Sequence, residues 1–185
     1  MKRKQLLSIL FLCLITIVAK AQVEIYGFAT NVNDEKQSGM VKFSSTAPAT
    51  TMQRIKQVEE WATAGAWGGD AYYAMLSYAT YPKGLYIIDL ETGEMTQVAD
   101  YMYREDVRAA TEMSYDYMTG IMYFITVSDE DENNTALGTV DLTTGTQTFI
   151  NRNMKQYIVG MAIDKDGVMY GINDAGWVVR IDKTT

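Results

Sequence analysis

An internal repeat is what most constrains this chain. Four tyrosine-led triplets, Tyr26-Gly27-Phe28, Tyr73-Ala74-Met75, Tyr123-Phe124-Ile125 and Tyr170-Gly171-Ile172, follow one another at spacings of 47, 50 and 47 residues. A second set of anchors trails them, Phe43, Ile88, Val140 and Ile181, at spacings of 45, 52 and 41. Two anchor sets sharing one period are hard to obtain by chance. No long helical stripe occurs after residue 22, and short alternating apolar runs recur instead, separated by Gly, Asn, Asp and Thr. Alternation at period two puts apolar side chains on one face of a strand, and the intervening residues are those that turns accept. A period of about 40 to 50 residues made only of strand and turn reads as one four-stranded propeller blade per repeat.

The third unit carries all four strands: Thr111 to Tyr115, Gly120 to Thr126, Ala136 to Asp141 and Gln147 to Ile150. The fourth runs from Val159 to Asp164, turns at Lys165-Asp166-Gly167, and continues through Val168 to Ile172 and Trp177 to Asp182. Thr51 to Trp61 has the charge and spacing of a short amphipathic helix. Its place in the repeat is that of the outer strands Glu94 to Ala99 and Gln147 to Ile150, and the repeat outranks local propensity. The expectation is an all-β fold of β-propeller-type four-stranded antiparallel blades, about three and a half of them, forming an incomplete ring. The strand around Trp177 to Asp182 is then expected at an open edge, where the remaining blades or another chain complete the sheet.

The runs ending Leu85-Tyr86-Ile87-Ile88-Asp89-Leu90-Glu91-Thr92-Gly93 and Val140-Asp141-Leu142-Thr143-Thr144-Gly145 share an Asp-x-x-Thr-Gly turn, and Ile181-Asp182-Lys183-Thr184-Thr185 begins a third. An Asp at a strand end accepts backbone N–H groups of its own turn, and the glycine is free to take positive φ. Asp89, Asp141 and Asp182 therefore read as structural turn residues. The motif resembles the repeat of secreted quinoprotein-type and related β-propellers. In the tryptophan-docking form of that repeat an alanine stands two before the Asp and a tryptophan eight after it. Here those places hold Ile87 and Gln97 in one repeat, Thr139 and Phe149 in the next. The resemblance thus implies the blade geometry without the quinoprotein redox cofactor, and no cofactor is expected.

Residues 1 to 21 read as a signal peptide. Lys2, Arg3 and Lys4 form a positive start, Leu6 to Val18 an apolar run, and Ala19-Lys20-Ala21 a small-x-small cleavage site before Gln22. Thirteen residues at 1.5 Å rise fall short of a hydrocarbon core about 30 Å thick, so the segment does not read as a membrane span. The chain is expected to be exported, to the periplasm, cell surface or exterior, with residues 22–185 as a single propeller-repeat domain. Cleavage removes four of the 16 basic residues and none of the 23 acidic ones, taking the formal charge from −7 to −11. Such a surface repels phosphate backbones, so nucleic acid is a poor partner.

Composition removes much chemistry as well. There is no histidine, and the single cysteine, Cys13, lies in the signal. A Ser-His-Asp triad, a Cys-His nucleophile, an imidazole zinc site and a CxxC redox pair are impossible. Asp164-Lys165-Asp166-Gly167 lacks the further oxygen donors of a calcium loop and reads as a glycine hairpin. Asp129-Glu130-Asp131-Glu132 reads as a solvated loop tip, so no metal site is expected.

Propeller ligands sit where the loops between second and third strands meet those leading to the next blade. On this register Tyr78, Tyr81, Tyr101, Tyr103, Arg104 and Arg152 fall on that face, a set able to stack on and hydrogen-bond a glycan or a peptide. The leading reading is an exported, non-catalytic binding or interaction propeller. The alternative is a polysaccharide-processing lyase or hydrolase using Glu105, Asp106 and Asp129, which would need two carboxyls roughly 5 to 9.5 Å apart.

Overall fold

The computed structural model describes residues 23–29, 39–57, 62–76, 84–100 (backbone only at 99 and 100) and 110–185. These form four consecutive antiparallel sheets, each a simple meander in chain order. The first contains β1 (Glu24–Ala29), β2 (Gly39–Ser44) and β3 (Gln53–Gln57). In the second are β4 (Ala62–Trp67), β5 (Tyr72–Leu76), β6 (Gly84–Ile88) and β7 (Met95–Asp100). The third comprises β8 (Glu112–Asp116), β9 (Ile121–Val127), β10 (Thr135–Val140) and β11 (Gln147–Asn151). The fourth is built of β12 (Ile158–Ile163), β13 (Met169–Asn173) and β14 (Val178–Ile181). One helical turn, α1 (Pro48–Thr51), precedes β3. The helix-like stretch is thus extended from Gln53 to Gln57, and its last residues lie outside the described ones.

Both anchor sets meet at one register in all four sheets. Phe43 stands opposite Ile25, Ile88 opposite Tyr72, Val140 opposite Met122 and Ile181 opposite Met169. Each of the four tyrosines follows its anchor's partner by one residue, so the repeat in sequence is a repeat in space. Even the irregularities recur. The third strand's pairing with the fourth slips at Met40/Val41, Leu85/Tyr86 and Leu137/Gly138, the same position in three repeats. A bulge at a fixed place adds twist, which a blade needs.

Alternation gives every sheet two faces with distinct jobs. One presents a trio from its second and third strands: Tyr26, Phe28 and Met40 in the first sheet, Tyr73, Met75 and Leu85 in the second, Tyr123, Ile125 and Leu137 in the third. The opposite face of the following sheet receives it, with Tyr72, Ala74 and Ile88, then Met122, Phe124 and Val140, then Met169 and Ile181. These opposed sets form the three apolar cores, one between each pair of neighbouring sheets. Fully burying a Leu, Ile, Val, Phe or Met side chain among them contributes about 1.5 to 3 kcal/mol. The first strands β4, β8 and β12 touch in succession, which fans the sheets around a common axis. No cysteine follows Cys13 in the chain, so these cores hold the fold without disulfide help.

Among the described residues the first sheet has its second, third and fourth strands and the fourth its first, second and third, so β14 lies at an edge of these.

Candidate functional site

The turn end of the blades is built by aspartates. Asp89 Oδ1 accepts the N–H groups of Glu91 (2.9 Å) and Thr92 (2.8 Å), while Gly93 takes φ 71°. Asp141 Oδ1 accepts those of Thr143 and Thr144, both at 2.8 Å, with Gly145 at φ 69°. Asp182 Oδ1 accepts the N–H of Thr184 at 2.8 Å and its hydroxyl at 2.7 Å. Each of the three carboxyls is held below its ordinary range by these donors, the threonine bonds first. Asp164 likewise accepts from Asp166 and Val168, both at 2.9 Å, closing the hairpin at Gly167.

A fourth aspartate of this kind escaped the sequence reading. Asp116-Tyr117-Met118-Thr119-Gly120 repeats the Asp-x-x-Thr-Gly pattern, but between first and second strands. Asp116 is fully buried, accepts the Met118 N–H at 2.9 Å and pairs with Lys183 from the next sheet. Burial acts to raise its carboxyl. Lys183, Thr119 and the Met118 N–H outweigh that and hold it low. It pins the third sheet to the fourth.

At the opposite end two loops of the third sheet come together. Arg152, after β11, donates to Asp129, between β9 and β10, at 2.9 Å, and its guanidinium lies 4.4 Å from the Phe149 ring centre. Ser128 staples these loops, donating to the Arg152 carbonyl at 2.6 Å while accepting the Glu130 and Asp131 N–H groups at 3.1 and 3.3 Å. Thr135 adds three ties. Its N–H bonds the Gln156 carbonyl at 2.8 Å, its carbonyl accepts from Met154 at 2.8 Å, and its hydroxyl accepts the Ile158 N–H at 2.8 Å. Both charged heads stay half-exposed above this braced platform. Of the six loop-face candidates, Arg152 is within the described residues; Tyr78, Tyr81, Tyr101, Tyr103 and Arg104 lie outside them. Of the alternative carboxylates, Asp129 is ion-paired, and Glu105 and Asp106 lie outside the described residues. Among the described residues no cluster of three or more Asp, Glu, Cys or His is placed to hold a metal ion.

Two further features were not foreseen. Glu112, on the first strand β8, is half-buried, and that burial raises its carboxyl despite a bond from the Met113 N–H. Tyr72 is raised too, by burial first and by the Glu112 charge second. A groove of about 660 Å³ opens at the turn end, lined by Ile121, Thr139, Thr143, Thr146 and Thr148 among others. It lies away from the loop platform.

No known sequence family matches the chain, nor does any curated protein. Solved structures do match by fold. A chain in the crystal structure of a nidogen/laminin complex superposes with a TM-score of 0.53 at 11% identity, covering 80% of this chain and 52% of that one. TolB from Acinetobacter baumannii superposes with a TM-score of 0.51 at 14% identity, covering 85% of this chain and 40% of that one. Both are β-propellers, and so is the fold described here. The chain spans about half the length of the first and two fifths of the second.

Proposed function

We propose that this chain is an exported, non-catalytic binding propeller whose ligand, a glycan or a peptide, rests on the loop face. The observation that carries this is the Arg152 platform: a guanidinium lying on Phe149, oriented by Asp129, on two loops braced by Ser128 and Thr135. A guanidinium has five N–H donors in a fixed plane, more than one carboxylate oxygen can use, which suits hydroxyl or carbonyl recognition. The sequence repeat assigns Tyr101, Tyr103, Arg104, Tyr78 and Tyr81, which lie outside the described residues, to the same face. The signal-like residues 1 to 21 support export, and among the described residues no helix is long and apolar enough to cross a membrane. Intact mass of the exported protein should then begin at Gln22.

Affinity electrophoresis through gels carrying neutral or acidic polysaccharides, with a displayed random-peptide library alongside, tests the reading. Arg152→Ala and Tyr103→Ala are each expected to weaken the retention seen for the parent about tenfold, with the melting temperature nearly unchanged. Retention indifferent to both changes, or no retention of the parent by any of these probes, contradicts the proposal.

A further inference from the structure

The fourth sheet repeats the trio that every other sheet uses to hold its successor. Tyr170, Ile172 and Val178 occupy the places of Tyr73, Met75 and Leu85 and of Tyr123, Ile125 and Leu137. In the second sheet those residues are 6%, 4% and 0% exposed, and in the third 5%, 0% and 0%. In the fourth they are 39%, 47% and 69% exposed. Pairing confirms the equivalence, since Ile172 stands opposite Val178 as Met75 does opposite Leu85 and Ile125 opposite Leu137. At the other end, the first sheet turns away from its neighbour the matching receiving set, Ile25, Gly27 and Phe43, with Ile25 38% exposed.

We infer that the outward face of the fourth sheet docks the first sheet of a second copy of this chain. Three interfaces of this type already exist within the molecule, and this contact continues the series. What covers such a trio in all three is the receiving face of another repeat. Among the described sheets only the first packs no other sheet on that face, where Ile25 is exposed, Gly27 and Phe43 are half-buried and Val41 is buried, and the exposure of Tyr170, Ile172 and Val178 shows that it is not the chain's own first sheet that covers them. Neither set contains an Asp or Glu, although the chain carries 23 of them, and each face carries one cross-strand arginine, Arg180 opposite Tyr170 and Arg54 opposite Val41. The contact is head to tail, with different faces from the two copies. It closes a two-membered ring if the rotation allows and otherwise extends. This surface is separate from the loop platform, so it stands whether or not the ligand reading holds.

Size-exclusion chromatography with light scattering, at tens of micromolar protein and on dilution, reads the association. The expected mass is at least twice that of one chain, falling as the protein is diluted. Ile172→Lys (or Val178→Lys, at the most exposed of the three) and Ile25→Glu should each give a monomer with unchanged circular dichroism. An equimolar mixture of Ile172→Lys with Ile25→Glu should recover a two-chain mass, because each variant keeps the face the other lacks. A parent that is monomeric throughout overturns the inference. So does association that survives Ile172→Lys and Val178→Lys, or an Ile25→Glu variant that associates as the parent does, since the fourth sheet would then be pairing with itself.

Discussion

Asp116 and Glu112 sit four residues apart on β8, and their carboxyls are shifted in opposite directions. Asp116, with the turn aspartates Asp89, Asp141 and Asp182, is held below its unfolded value. Stability from such groups is present above the unfolded carboxyl pKa and lost as pH falls through the folded one, so unfolding should become easier below about pH 4. Glu112 is raised by burial. Its contribution is complete below the unfolded value and is lost as pH rises through the raised one. Urea titrations at pH 7 and pH 4 check both signs. Glu112→Gln should stabilise at pH 7 and gain less at pH 4, and a loss at pH 7 contradicts the assignment. Asp116→Ala should cost about 2 kcal/mol at pH 7, because it strands the Met118 N–H and Lys183. The Asp89 and Asp141 turns were legible in sequence because these carboxylates bond N–H groups of their own turn, two and three residues on. Asp116 carries the same five-residue signature, yet its partner Lys183 is 67 residues away and no local rule points there. Arg152 and Asp129 were likewise read as separate candidates; the loop closure that joins them belongs to tertiary structure.

At the scale of strands, the third-strand bulge is the most specific device. Gly138 sits at it in the third sheet, where an added Cβ would lie 2.6 Å from the Phe124 ring and 2.8 Å from the Thr148 carbonyl oxygen. The glycine lets an aromatic ring fill the sheet-to-sheet core against the backbone. Gly138→Val should therefore destabilise by about 1 to 3 kcal/mol, since the backbone contact cannot yield as a flexible side chain would. A thermal shift within error of the parent contradicts the role given to that close approach. Strand positions were readable because the triplets and anchors alternate at period two. The edges of strands were readable only to within a residue or so. The β3 segment shows where pattern and neighbourhood disagreed: Gln53 to Gln57 pairs with β2 through Gln57 opposite Gly39, so the ladder prevails over helical spacing.

For the whole molecule, each blade's tyrosine trio is the seat of the next blade. Sequence showed that Tyr26, Tyr73, Tyr123 and Tyr170 are equivalent, but not which of them would be covered, because covering depends on what stands beside each sheet. Urea unfolding of Tyr73→Ala, Tyr123→Ala and Tyr170→Ala, in protein dilute enough to be monomeric, isolates that difference. The three positions share strand, register and residue type, and differ in whether a further sheet packs on them. Tyr73→Ala and Tyr123→Ala should each lose about 3 to 5 kcal/mol, as buried aromatic truncations do. Tyr170→Ala should stay within about 0.5 kcal/mol of the parent, as exposed substitutions do. Equal losses at all three positions would mean that the tyrosines stabilise their own sheets rather than their successors, and the blade-on-blade account would fail.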